Sequence, residues 1–437
     1  MGRPGSARGV RPDPPRWVRV ASVDPGFAAG DSAYHAVYPG SDGRLYFTIS
    51  THRADSHARL GCFDPGTGRI VFLKDVGAAL DEQRPAVPHG KIHARPGEAE
   101  GGLYLATHFG DRSDRGGRRS YPGFHILRLD MRSGDLRDLV RGPEEEGLVS
   151  GVLDAARLVY YGLTFPSGLF CRYDVRAGQL LIASPPCPER PMPARVRGRL
   201  AYRVCRTLGL DADGAVYGSC RDGTVWRWDP GGDRAIVPGV NVRHGVVPPI
   251  DATGSADSFW RALVWDDDDR CFYGIHAGTQ SLFRFRPDAG HIEPLARIGA
   301  TAAHPEGHDP YRSPLGLARG AGRTLYHIAH GPPIGVPGRR RPRTTAYLVS
   351  YDLDRHAFRE HGPLCTDRGE RVLFAESLAA DARGDLYTVA WVEVADPALL
   401  PRYRRLRRQA SNAECRGEIY RMMLLRLPAD ELPAASP

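Results

Sequence analysis

The stretch SDGRLYFTI at 41–49 decides the fold, because the chain keeps returning to it. A polar turn leads into a short apolar strand built around Tyr46. The same arrangement recurs as EGGLYLATH (100–108), DADGAVYGS (211–219), DDDRCFYGI (267–275), GAGRTLYHI (320–328) and ARGDLYTVA (382–390). With Tyr161 added, the tyrosine series is Tyr46, Tyr104, Tyr161, Tyr217, Tyr273, Tyr326 and Tyr387, at gaps of 58, 57, 56, 56, 53 and 61 residues. A fixed interval of that size marks a repeat architecture.

Each repeat continues into a second hairpin whose turn is rich in Asp, Pro and Gly: CFDPGTGRI, LRLDMRSGDL, CRYDVRAGQL, WRWDPGGDRA, FRFRPDAGHI and VSYDLDRHAF. These residues supply the tight-turn geometry. Four short strands per unit, with turn signals every few residues, predict an all-β, seven-bladed β-propeller of four-stranded blades. Closing the circle leaves no long free edge. WVRVAS at 17–22 is expected to supply the closing strand, beside EIYRMMLLRL at 418–427. The propeller is expected to span 16–428, between a disordered tail at 1–15 and a C-terminal tail at 429–437.

Composition fits one large globular unit, 41% hydrophobic and 25% charged over 437 residues. Nothing approaches an 18-residue apolar run, so no membrane span is expected. The opening MGRPGSARGVRPDPPR lacks the apolar stretch of a secretory signal, which points to the cytoplasm. The eight cysteines form no C-x-x-C pair and no metal-ligand spacing, so reduced, buried thiols are expected, with Cys205 and Cys220 the pair to test for contact.

Net charge is +8 and almost wholly arginine, since Lys74 and Lys91 are the only lysines. Two runs stand out, GRRRPR at 338–343 and RYRRLRR at 402–408, the second reading as a short basic helix. Solvated loops are the plain alternative; a rim for an anionic substrate or a protein partner is the sharper reading. Nucleic acid ranks low, since no recognised motif or interleaved aromatic platform is present.

Equivalent positions in a propeller point to equivalent places around its axis. Counting eleven residues back from each tyrosine gives His35, His93, Ser150, Arg206, Arg261 (allowing for a longer turn), Leu315 and Glu376. Counting four forward gives Ser50, His108, Phe165, Arg221, Ala277, His330 and Trp391, with His276 one residue earlier in its unit. One end of the channel is thus predicted to gather imidazoles, guanidinium groups and a carboxylate. Arginine binds carboxylate through a two-pronged fork and histidine exchanges protons near neutrality. Together they suit proton abstraction beside a carboxylate, as in a uronic acid sugar. A wet, polar channel whose groups merely bond to nearby backbone is the plain alternative.

The passage PHGKIHARPGEAEGGLYLATHFGD (88–111) is the richest in histidine, with His89, His93 and His108. Together with Tyr161–Asp174 and the sevenfold repeat, it resembles the seven-bladed polysaccharide lyases, including ulvan and rhamnose–glucuronate lyases. The resemblance implies β-elimination at a uronic acid, with two histidines of the second blade and a tyrosine and arginine of the next. The histidines carry over to His93, or His89, and to His108. The aligned positions of the third blade hold Ser150 and Phe165, and Tyr160 and Arg172 stand on other strands. Arg206, Arg221 and Arg261 are then the candidates for the carboxylate clamp, with His35, His89, His276, His330 and Glu376 as further substrate contacts.

The favoured ligand is therefore an acidic saccharide or other small anion, and this chemistry requires no cofactor. One alternative is a lactonase-like hydrolase with a divalent metal on Glu376, His35 and His93. Another is a non-catalytic interaction scaffold. The insertions after His108 and His330 are expected to roof the site.

Overall fold

The computed structural model describes residues 16–80, 87–110, 120–187, 195–232, 234–247, 258–300, 314–320, 322–408 and 417–432. The expected 1–15 tail, the segment 111–119 of the insertion after His108, Cys415 and the end of the C-terminal tail lie outside them.

The strands follow one another as antiparallel meanders. The first sheet runs Val37–Pro39, Leu45–Ile49, Arg59–Asp64, Arg69–Asp75. In the second, Lys91–Ile92 and Gly97–Ala99 both pair with Gly102–His108, followed by His125–Asp130 and Leu136–Arg141. Further four-stranded sheets begin at Gly147, Gly209 and Trp260. The last two sets of strands, from Leu317 and from Val372, join in a nine-stranded sheet through Val18–Val23. The first half of that N-terminal strand lies parallel to Ala357–Thr366 (Val18↔Leu364), and its second half antiparallel to Tyr420–Leu427 (Val23↔Leu424).

The repeated tyrosine has a structural role within its own sheet. It sits on the second strand of its sheet, and in the repeats of Tyr46, Tyr217, Tyr273 and Tyr387 its hydroxyl donates to an aspartate of the preceding tight turn. Tyr46 reaches Asp42 at 2.8 Å, Tyr217 reaches Asp211 at 3.0 Å, Tyr387 reaches Asp381 at 3.2 Å, and Tyr273 bonds to Asp269. The aspartate also accepts backbone N–H groups of its own turn; Asp211 takes those of Asp213 and Ala215. One side chain thus locks the turn to the strand behind it. The glycine after Tyr217 and Tyr273 has its own reason: a Cβ on Gly218 would lie 2.0 Å from the Trp226 ring, and one on Gly274 2.4 Å from Phe283. Both rings lie flat across the neighbouring strand, and only glycine leaves them room.

Apolar residues fill the spaces between successive sheets, so each cluster is shared by neighbours. One holds Tyr46, Leu60, Leu103 and Leu127, from the first and second sheets; another holds Tyr217, Trp260, Phe272 and Phe285, from those beginning at Gly209 and Trp260.

The expectation of reduced thiols throughout is corrected. Cys220 is bonded to Cys187, with Cα atoms 5.5 Å apart, and Cys205 remains a buried thiol pushed up to about 11 by burial. The connector carrying Cys187 folds back over the turn at 220–223, a path that no periodic pattern announces. The helix expected at 402–408 forms over Leu400–Arg408 and is called α1 below. No helix among the described residues is long and apolar enough to cross a membrane.

Candidate functional site

The starts of the inner strands meet in one polar cluster. His35 donates from Nε2 to the carbonyl oxygen of Arg206 at 3.0 Å, with the Thr207 hydroxyl at 3.1 Å, and so joins the first sheet to the one beginning at Gly209. Thr207 in turn donates its hydroxyl to the Arg261 carbonyl at 2.8 Å. The Arg261 guanidinium holds both oxygens of Glu376, at 3.0 and 3.2 Å, and the Leu315 N–H donates to the same carboxylate at 3.2 Å. Both partners of that ion pair are buried, which is tolerable only because each satisfies the other.

His93 and His108 complete this cluster. Their rings are 5.9 Å apart, and His93 lies stacked on Tyr34 at 3.8 Å. His108 donates from Nδ1 to the Phe109 carbonyl at 2.8 Å. That bond places the hydrogen on Nδ1 of the neutral ring and leaves Nε2 as its basic nitrogen. His93 is buried, and its Nδ1 has no hydrogen-bond partner among the described residues. Phe165 stacks near His108 at 6.1 Å and lies under the Arg206 guanidinium at 5.9 Å.

Charge sets the protonation. His93 is held well below the usual imidazole range, first by burial and then by Arg206, His108, Lys91 and Arg261. His35 is pushed down to about 3 by burial and by Arg95, with Arg261 adding to the effect. His93 and His35 are therefore neutral at neutral pH, in a positive field that an incoming carboxylate would offset.

The remaining candidates lie elsewhere or play another part. His89 turns away from this cluster; its Nδ1 lies 2.8 Å from the Thr107 hydroxyl and 3.0 Å from that of Tyr121, with the His125 ring 5.0 Å away. His276 bonds locally to Thr279 at 3.0 Å and is pushed down to about 4 by burial and Arg243. His330 donates to the Ala375 carbonyl at 2.9 Å and stacks on Phe374 at 4.1 Å, bracing the strand that precedes Glu376. Arg221 is half-buried in the turn at 220–223, where its carbonyl receives the Ser258 N–H at 2.8 Å. Ser150 is buried within its own sheet opposite Leu163. Contrary to expectation, Tyr160 shares the strand Val159–Phe165 with Phe165, and it packs in the core with Ala94 and Tyr104; Arg172 does stand on the next strand, Phe170–Asp174, and pairs with Asp174 at 3.6 Å.

The metal alternative is not carried by these side chains. Glu376 is taken up by Arg261 and His35 by the Arg206 carbonyl, and among the described residues no three His, Cys, Asp or Glu side chains gather to hold an ion. Three site neighbours escaped the sequence reading: Tyr34, Lys91 and Arg95. Counting from the tyrosine selects one residue per strand, while these stand one or two positions away from the residue selected. A run such as KIHAR, with a cation on either side of a histidine, is the signal that could have found two of them.

The chain matches no protein-family model and no curated protein sequence. It is similar in structure to the WD40 repeats of RRP9 (12% identity, TM-score 0.52, covering 92% of this chain and 99% of that one). It is equally similar to U3-55K (12% identity, TM-score 0.52, 95% and 100% covered). The fold is a β-propeller. The propeller also resembles the extracellular domain of BT4673 from B. thetaiotaomicron (13% identity, TM-score 0.50), covering 94% of this chain but spanning only 40% of that domain's length. Likeness at these identities carries the fold alone.

Proposed function

We propose that seven four-stranded blades surround a channel whose connector end binds an acidic saccharide and cleaves it by β-elimination. The observation that carries this reading is the His93–His108 pair, with the His108 tautomer fixed so that Nε2 is basic, set among Arg206, Lys91 and Arg95. In the proposed reaction a cation neutralises the uronate carboxylate and so acidifies the adjacent C5–H. His108 takes that proton, the C4–O bond breaks, a C4=C5 double bond forms, and the leaving oxygen receives the proton that His108 took, relayed through the neutral His93 ring. The ligand's own carboxylate counters the positive field around the pair, so an imidazole there can hold the proton it takes. Arg261 is engaged by Glu376 and serves here to shape the cluster, leaving Arg206 as the principal clamp.

The test is the rise in ultraviolet absorbance from the conjugated enol acid, with uronic-acid oligosaccharides as substrates. His93→Ala and His108→Ala are expected to abolish it, and Arg206→Met to raise KM more than it lowers kcat. Absence of any rise from folded wild-type protein across a panel of such substrates would sink the proposal.

A further inference from the structure

We propose that 338–343 and α1 together form a docking surface for an acidic segment of a partner protein. The two runs lie about sixty residues apart in sequence, yet they are fastened on either side of Gly417–Tyr420. Arg340 bonds to the Gly417 carbonyl, and the Arg343 N–H donates to Glu418 at 3.0 Å. Arg371 donates to the Arg340 carbonyl at 2.7 Å, and Arg339 pairs with Glu393. On the other side, Arg407 of α1 donates to the Tyr420 carbonyl at 3.0 Å and to that of Gly30 at 2.8 Å, lying 4.2 Å over the Tyr420 ring. Both runs are therefore built onto the sheet and are not loose loops.

The fastening determines which arginines face outward. Tyr403 and Arg407 are buried, so the helical period turns Arg402, Arg405 and Arg408 to solvent, with Arg404 beside them. Arg341 and Arg343 are exposed in the other run. Among the described residues no carboxylate pairs with any of these six side chains. This is a contrast with the tight-turn end, where exposed arginines such as Arg270, Arg355 and Arg383 have an aspartate beside them. Guanidinium forks match carboxylates two at a time. Half-buried Ile334, Val336, Leu399 and Leu406 add apolar contact, and the local tyrosines, Tyr347 and Tyr403, are buried. A protein segment mixing Glu or Asp with aliphatic residues fits such a surface better than nucleic acid, which would want exposed rings for its bases.

The test is fluorescence anisotropy of the full chain with a fluorescein-labelled peptide rich in Glu and Leu, at physiological salt. Combined Arg341→Glu, Arg404→Glu and Arg405→Glu is expected to weaken binding by roughly tenfold or more. Combined Arg132→Glu, Arg176→Glu and Arg355→Glu changes net charge equally at the tight-turn end and should leave binding within about twofold. His93→Ala should also leave it unchanged, which separates this surface from the channel. No binding, an equal loss in both triple variants, or tighter binding of RNA or a sulfated glycan than of the peptide would overturn the proposal.

Discussion

The two ends of this propeller are built by opposite uses of charge. At the tight-turn end many of the arginines have a carboxylate beside them, and several of those pairs tie one sheet to the next. Arg157 holds Asp154 at 2.9 Å and reaches the Asp213 carbonyl at 3.0 Å, while Arg270 returns to Asp213 at 3.0 Å from the other side. Arg319 pairs with Asp266 at 2.8 Å, and Arg323 with Asp269 and Asp354 at 2.8 Å each. At the connector end, cations converge on buried imidazoles, and Glu376 answers Arg261. The difference teaches where the molecule is neutralised for stability and where it retains a field that a ligand can complete.

The largest expected break in that comparison comes from Glu376→Ala, which strands Arg261 in the interior. It should cost about 3–5 kcal/mol in urea unfolding, the penalty of an uncompensated buried charge. A loss below about 1 kcal/mol would mean that water reaches Arg261 and that the channel is more open than its bonding implies. Next is the connector's tether. Cys187→Ser opens a loop of 33 residues and should cost about 3–4 kcal/mol by the chain-entropy relation, while leaving the Tyr–Asp locks of the other end intact.

Between the two ends lies His327, fully buried and pushed down to about 4 by burial, against the Gly316 carbonyl that its Nδ1–H meets. Because its folded value lies below the unfolded one, the unfolded chain takes up the proton first as pH falls. Stability from this group is therefore intact above about pH 6.5, falls between about 6.5 and 4, and then levels, a span worth about 3 kcal/mol. His327→Gln should flatten the pH dependence over that window by a similar amount. An unchanged slope would assign it to the other buried histidines. The smallest effect belongs to the tight-turn end. Tyr217→Phe removes one of three bonds to Asp211 and should cost about 1–2 kcal/mol, with no change in ligand affinity at the channel.

This asymmetry also explains what was legible in the sequence. The tyrosine repeat could be read because each copy stands at the same place on the second strand of its sheet, just after a tight turn, so its interval follows the length of the repeating unit. Counting inward from that fixed point found His35, His93, Arg206, Arg261 and Glu376, which the fold gathers, since each inner strand begins a set distance from its turn. The same count could not separate His89 from His93 without knowing where Lys91–Ile92 pairs with Thr107–His108. Nor could it find Cys187, Tyr34 or the anchoring of 338–343, all of which depend on connectors whose paths have no period. The loop reading of 338–343 missed that its backbone is fastened by Arg371 and Glu418.

The placement of Val18–Val23 has a consequence for biosynthesis. This strand, made before the other described strands, is held by two of the last of them, pairing with Leu364–Thr366 through its first half and with Leu424–Arg426 through its second. Until nearly the whole chain has been made, that strand has no native partner, and the sheets completed before it can stack but cannot form a ring. A nascent chain halted before residue 420 should therefore hold its first sheets in a protease-accessible, open arc, and release of the last strand should convert it to the closed form in a single late step.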